Sequence, residues 1–320
     1  MNKRVMAVLL IIMILCLLAG CTGVEKIKID PVEINPESAA AKTEKMTVAL
    51  YFGDAHMDHL VSESRSIDAA ANDPLAISVL EELFRGPQNM SGDYNQLINP
   101  ETKVLKVNNS SNILTVTLSK ELLDWPAGIT EASQRELAVY SIVNTLVEAT
   151  GYSQIQLMVD RDDNGISQRL HAGELGFSSD AVDIMSGMLG ILERNGAVVL
   201  TPENTVECIF DAMMKKDYSL VYSFIAYSDT YGITKTDEAS FRSAVEKAAP
   251  TLEGYTVREV IVSDDGQSAV AMIDYTMRFA TEDSTTRTNI PNYLVRENGI
   301  WKQRYSAFED IFLTMEVSTS

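Results

Sequence analysis

The sequence is poor in cysteine, histidine and basic residues, and each shortage removes a class of function. Three Cys occur in 320 residues. Cys16 lies in an apolar N-terminal run and Cys21 just after it, so Cys208 is the one thiol left to a folded body. No disulfide can form within that body, which must be held by its core. Cys208 sits among Val206, Ile209 and Phe210 in a helical pattern, as a core thiol would. The three His (His56, His59, His171) are far from it in sequence, so a Cys–His nucleophile pair has no support. Lys and Arg total 26 against 45 Asp and Glu, a formal charge of −19 and a pI near 4.5. A nucleic-acid binder needs cations that replace phosphate counterions, so nucleic acid is excluded as a partner. A body this acidic is also repelled by anionic lipid headgroups. No Gly-x-Gly-x-x-Gly, Gly-x-Ser-x-Gly or P-loop occurs, which removes the common dinucleotide, hydrolase and nucleotide sites.

What is present begins at the N-terminus. Lys3 and Arg4 precede an apolar stretch from Val5 to Leu18, the length of a signal-peptide core and short for a bilayer span. It ends in Leu18-Ala19-Gly20-Cys21, which resembles a bacterial lipobox. The resemblance implies that residues 1–20 are a lipoprotein signal peptide and that Cys21 takes a diacylglycerol. Loss of Lys3 and Arg4 then leaves a mature chain two charges more negative. The expected location is the extracytoplasmic face of the bacterial cell membrane, lipid-anchored. Residues 21–45 carry Lys, Glu, Pro, Ser and Ala and read as a flexible tether, with a reach of about 25–30 Å.

The remainder is ordinary in composition, 46% hydrophobic and 22% charged, and long enough for two domains. Over 46–177 the pattern reads β-α-β-β-α-β. Thr47 to Phe52 is a strand. Asp73-Pro74 opens a helix with Leu75, Val79, Leu80 and Leu83 at helical spacing, and Gly86-Pro87 stops it. Thr102 to Val107 and Ile113 to Leu118 form a hairpin. A long helix runs from about Glu131 to Thr150, with Leu137, Tyr140, Val143 and Val147 inward, and Gly151 ends it. Gln154 to Asp160 is the last strand. These segments resemble the GerMN domain of sporulation and spore-germination lipoproteins. The residues that carry the resemblance are Val48 to Phe52, Leu80-Glu81-Glu82-Leu83-Phe84-Arg85-Gly86-Pro87, Ile113 to Ser119, Ile142 to Leu146 and Ile155 to Asp160. A tight Val-Asp-Gly turn common in that family is replaced here by the longer Asp160-Arg161-Asp162-Asp163-Asn164-Gly165.

Residues 178–200 read as a connector with a helix from Asp180 to Arg194. From Thr201 the pattern turns to helices first and strands second. Val206, Ile209, Phe210 and Met213 mark one helix, about Tyr218 to Tyr227 a second, and Phe241, Ala244, Val245 and Ala248 a third. Strands follow at Tyr255–Val262, Ser268–Phe279, Arg287–Arg296 and Ile300–Tyr305. The order argues α+β. This region, 201–320, resembles the nuclear-transport-factor-like (SnoaL-like) cone through Thr205-Val206, Lys216-Asp217-Tyr218, the long alternating strand and Gly299-Ile300-Trp301-Lys302. The two domains are expected to fold independently.

The candidate sites are few. Asp160-x-Asp162-x-Asn164-Gly165 matches half of a calcium loop, but His171 stands where a bidentate Glu is needed, so a hairpin turn is the better reading. His56 and His59, with Asp54 nearby, lack a further zinc ligand and read as a solvated loop. Asp274 reads as a surface carboxylate. Phe210, Phe224, Tyr275, Phe279, Trp301 and Tyr305 are candidate pocket lining if the cone is open, and core otherwise. No cofactor or metal is expected. The expectation is a non-enzymatic, membrane-anchored lipoprotein acting as an assembly module in sporulation or spore germination. Its GerMN-like unit would self-associate or bind a protein partner. The alternative is a binding lipoprotein whose cone holds a small ligand or cell-wall fragment.

Overall fold

The structure is a computed structural model that describes residues 43–70, 74–89, 92–177, 182–183, 187–228, 232–280 and 283–314. The signal peptide, Cys21 and nearly all of the tether lie outside the described residues, as does Asp73. The described residues form one compact unit. Its architecture is α+β.

Alternating Val48, Leu50 and Phe52, all buried, make β1 (Thr43–Asp54) a strand. It pairs antiparallel with β2 (Leu60–Ala70), Thr47 opposite Ser66 and Phe52 opposite Val61. The sequence reading lacked β2 for a physical reason. Its buried positions include Val61, Arg65 and Ile67, with Glu63 between them only partly covered, so polar residues interrupt the apolar alternation. Arg65 is held there by Glu63, by the Glu82 carboxylate and carbonyl, and by the Gly86 carbonyl at 3.0 Å. Helix α1 (Leu75–Phe84) buries Val79, Leu80 and Leu83 and ends where Gly86 takes φ 90°. The short β3 (Tyr94–Asn95) completes a sheet of order β2-β1-β3.

A second sheet holds β4 (Val104–Ser110) and β5 (Ile113–Ser119), a hairpin turning at Ser111-Asn112. Helix α2 (Ala132–Thr150) follows, opened by a Glu131/Gln134 capping box and closed by left-handed Gly151. It returns the chain so that β6 (Gln154–Asp160) runs parallel to β5. Ser141 Oγ donates to the Tyr51 carbonyl at 2.6 Å, and Tyr51 N–H donates to Thr145 Oγ1 at 3.0 Å, which locks α2 to β1. β7 (Gln168–Arg169) pairs back on β6.

Part of the expected helix over 180–194 lies outside the described residues, and the described ones are not helical. The described residues there include the two-residue strands β8 (Val182–Asp183), β9 (Met188–Leu189) and β10 (Leu192–Glu193). Gly187 and Gly190 interrupt the run, and Leu189 and Leu192 are buried with exposed Ile191 between them. β10 joins β6, giving the order β10-β6-β5-β4.

The second half opens with α3 (Pro202–Lys215), capped by Thr201 Oγ1 accepting from Asn204 N–H at 3.1 Å. Then come α4 (Tyr218–Ser223) and α5 (Glu238–Ala248). The antiparallel sheet β11 (Pro250–Val262), β12 (Ser268–Phe279), β13 (Thr285–Glu297), β14 (Ile300–Gln303) forms a half-barrel. Register shifts at Leu252/Gly254, Val257/Glu259 and Ile273/Tyr275 are the bulges that bend it. The last strand stops at Gln303, short of the expected Tyr305, because Tyr305, Phe308 and Phe312 recur at helical spacing. They form α6 (Tyr305–Phe312), which the sequence reading lacked.

The halves touch through several contacts. Leu60 N–H donates to the Val198 carbonyl and Leu200 N–H to the Leu60 carbonyl, at 2.7 and 2.8 Å. Tyr94 Oη donates to the Asn298 carbonyl at 2.9 Å, and Arg296 Nη2 to Ser62 Oγ at 3.1 Å. Lys302 Nζ lies 3.4 Å from both Asp93 and Glu297. Gly299, at φ 88°, leaves room for the Tyr94 hydroxyl, which would stand 2.4 Å from an added Cβ.

Candidate functional site

The interior of the half-barrel is the first place to look for a ligand, and side chains fill it. Phe210 on α3 packs against Tyr255 at 5.0 Å between ring centroids, Phe312 at 5.1 Å and Tyr275 at 6.3 Å. Phe308 meets Phe241 and Phe312, each at 4.9 Å. Phe210, Phe241, Phe308 and Phe312 are all fully buried. Of the six aromatic candidates, Tyr275 and Phe279 border a cavity of about 60 Å³, shared with Arg278, Arg287 and Asp310. That is space for a few waters. Trp301 is buried against Arg296, and Tyr305 is buried with its hydroxyl 3.5 Å from Thr236 Oγ1. Asp274 lies at the surface, where it accepts from Arg258 at 2.6 Å and from Asn289 N–H at 2.9 Å. Those bonds hold its carboxyl below the usual range, so it is a poor general base.

Phe224 belongs elsewhere. It borders a cleft of about 210 Å³ between the halves, with His56, His59, Asp54, Cys208 and Asp211. The His56–His59 segment is the β1–β2 turn. It is packed against α4, with His56 Nε2 2.9 Å from Ser223 Oγ. Asp54 anchors the turn: its buried Oδ1 accepts from Asp58 N–H at 2.9 Å and His59 N–H at 3.2 Å. Burial pushes its pKa up against the pull of those bonds. Burial, with the nearby acids, pushes the Cys208 thiol to about 12, so it is not a thiolate nucleophile at neutral pH.

The Asp160 loop is a turn between paired strands. Asp160 Oδ2 accepts from Gly165 N–H at 2.7 Å, and Asp162 Oδ2 accepts from Gln168 Nε2 at 2.9 Å. The carboxylates are thus spent within the turn. Among the described residues no group of three or more His, Cys, Asp and Glu is arranged to hold a metal ion. No helix among them is long and apolar enough to cross a membrane.

Two features of the first half escaped sequence reasoning. One is a polar cluster joining β1, α2 and the segment after β10. Tyr51 Oη donates to Glu148 at 2.6 Å, Arg194 Nε donates to the same carboxylate at 2.8 Å, and burial with Glu148 lifts the Tyr51 pKa to about 12. The other is a groove of about 300 Å³ beside β4, lined by Leu75, Ala76, Val107, Leu114 and Tyr152. Its residues are scattered over 80 positions, and no local pattern joins them.

Comparison with known proteins finds a similarity in the first half. Residues 49–163 match the family described as Germane, sporulation and spore germination. Similar solved structures include the tandem GerMN domains of the sporulation protein GerM from Bacillus subtilis, at 16% identity and TM-score 0.28, over 39% of this chain and 41% of that one. A putative lipoprotein from Clostridium perfringens is 22% identical with TM-score 0.25, over 40% of this chain and 78% of that one. A putative polyketide cyclase from Xanthomonas campestris is 16% identical with TM-score 0.23, over 35% of this chain and 95% of that one. This chain therefore spans under half the length of the tandem GerM structure. No curated protein sequence matches it. The matched residues run from within β1 to just past β6, so the similarity to the sporulation and spore-germination family lies in the first half of the described chain.

Proposed function

We propose that the chain is a non-enzymatic lipoprotein, anchored by Cys21 at the outer face of the bacterial cell membrane, and that it serves as an assembly module in sporulation or spore germination. The family match over residues 49–163 is the observation that carries this reading. Two others support it. The Leu18-Ala19-Gly20-Cys21 sequence supplies the anchor that an acidic body needs. The half-barrel is packed with Phe210, Phe241, Phe308 and Phe312, which favours a structural role over a ligand site. The binding-lipoprotein alternative is left the cavity of about 60 Å³ beside Tyr275 and Phe279 and the cleft of about 210 Å³ beside Phe224.

The test is crosslinking and pull-down of the lipidated protein from cells entering sporulation. Recovery of the same envelope proteins, lost when residues 49–163 are deleted, is the expected result. Recovery unchanged by that deletion would refute the assembly role of the domain.

A further inference from the structure

The free edge of β4 stands out by hydrogen bonding and by charge. β4 is the outermost strand of the order β10-β6-β5-β4. Among the described residues, backbone hydrogen bonds of Val104–Ser110 run to β5 and nowhere else. Among the other long edges, β2 is covered on its outer side at Leu60, by Val198 and Leu200, and at Ser62, by Arg296, and its buried Arg65 interrupts the edge with a charge; the two edges of the half-barrel are blunted. The outer side of β14 is occupied by the Phe224–Ala226 segment, with Gln303 N–H donating to the Phe224 carbonyl at 2.8 Å and Ala226 N–H to the Gln303 carbonyl at 2.9 Å. β11 opens on Pro250 and is bent by two bulges. β4 has a single register shift, between Val104 and Lys106, and is regular from there to Ser110.

The charge is equally distinct. In a chain with 45 acidic residues, Thr102 to Lys120 contains none, and it contains Lys103, Lys106 and Lys120. Lys120 pairs with Asp163. Lys103 and Lys106 are exposed on the edge strand and its approach. The groove of about 300 Å³ lies beside the same strand, with Val107 in its wall and Leu75, Ala76, Leu114 and Tyr152 around it.

We propose that the β4 edge binds an extended acidic segment of a partner protein by strand addition. The inference rests on the assembly reading above and names the surface that would serve it. Main-chain groups of Lys106–Ser110 supply the ladder, the groove takes one apolar side chain, and Lys103 and Lys106 meet the partner's carboxylates. Lysine on an edge also discourages pairing with a second β4, since symmetric antiparallel pairing brings the two Lys106 ammonium groups close together. The acidic body repels an acidic partner at long range, so the contact is local and weak in solution.

The test uses the full chain and two labelled eight-residue peptides: (Val-Glu)4, and (Pro-Glu)4, which has equal charge but lacks the N–H groups at its proline positions. Fluorescence anisotropy should show (Val-Glu)4 binding at least about tenfold tighter than (Pro-Glu)4, and a loss of about tenfold or more in Lys103→Glu/Lys106→Glu. Amide exchange across Val104–Ser110 should slow when (Val-Glu)4 is added. Equal binding of the two peptides, binding unaffected by the charge reversal, or no binding at ~1 mM peptide would overturn the proposal. Self-association of the chain abolished by the same reversal would give the edge to a second copy and overturn it too. None of these outcomes depends on the pull-down that tests the assembly reading.

Discussion

Phe312→Ala tests whether the half-barrel is a packed core. Phe312 has no exposed surface and its ring meets Phe210 and Phe308, so its removal takes the end off the aromatic stack. Truncating a fully buried Phe to Ala costs about 3–5 kcal/mol, the transfer of the ring plus the cavity left behind. For a compact unit of this size each kcal/mol lowers Tm by about 2–4 °C, so calorimetry should show a drop of roughly 6–20 °C. Phe312→Leu keeps most of the volume and should lose much less. Tyr227→Ala, at a side chain 64% exposed, is the control and should stay within about 0.5 kcal/mol of the parent.

The same variant carries a second readout. A cavity left by Phe312→Ala would be walled by Phe210, Phe308 and neighbouring apolar groups, and a dry apolar cavity takes up small aromatic molecules. Benzene should raise the Tm of Phe312→Ala and leave that of the parent unchanged. A drop under ~2 °C, well below what one kcal/mol gives in smaller domains, would mean that α6 is not part of the core. A benzene shift in the parent would mean that the half-barrel is already open. Either result would return the ligand-binding reading to the front.

Four further outcomes follow from the structure. Cys21→Ala should release the protein from the membrane fraction or leave it carrying its leader; a processed mutant that stays membrane-bound would refute the anchor. Arg65→Met should destabilise by about 3–5 kcal/mol, because Arg65 is buried and its loss strands the partly buried carboxylates of Glu63 and Glu82; a chemical-denaturation midpoint equal to the parent's would refute it. Asp54 has a folded pKa raised by burial, so the folded state holds its proton more tightly than the unfolded one, and Asp54 loses stability as pH rises from the unfolded carboxylate range through that folded pKa; Asp54→Asn should flatten the parent's melting curve against pH over that window, and an unchanged slope would refute the assignment. Residues 46–177 and 201–320, made separately, should each melt below the intact chain, since the Tyr94–Asn298 and Arg296–Ser62 bonds and the Lys302–Asp93 ion pair are lost; a fragment melting at the parent temperature would show that the contacts add nothing.

What the sequence revealed depended on whether each element buries a regular apolar face. β12 alternates buried and partly buried positions along nearly its whole length, and its limits were legible to the residue. The same holds for β6, and nearly so for β5, α2 and α3, whose caps are spelled out by Gly151 and Thr201. β2 hid because Arg65 is buried by hydrogen bonds to distant carbonyls, a polar solution that periodicity counts as surface. The connector hid for the opposite reason: Leu189 and Leu192 match a helical spacing, but Gly187 before them and Gly190 between them favour an irregular path. The candidate pocket was lost at one residue. With Tyr305 placed in the last strand, the aromatic candidates could have faced an empty cone. With Tyr305 opening α6, Phe308 and Phe312 arrive to fill it. The β4 edge shows the remaining limit. The hairpin and its lysines were readable in Thr102–Lys120, but that β4 ends a sheet depends on β6 and β10 lying beyond β5 on the other side. Strand order is a property of the whole fold, and an unpaired edge becomes a candidate surface only once every other strand has been placed.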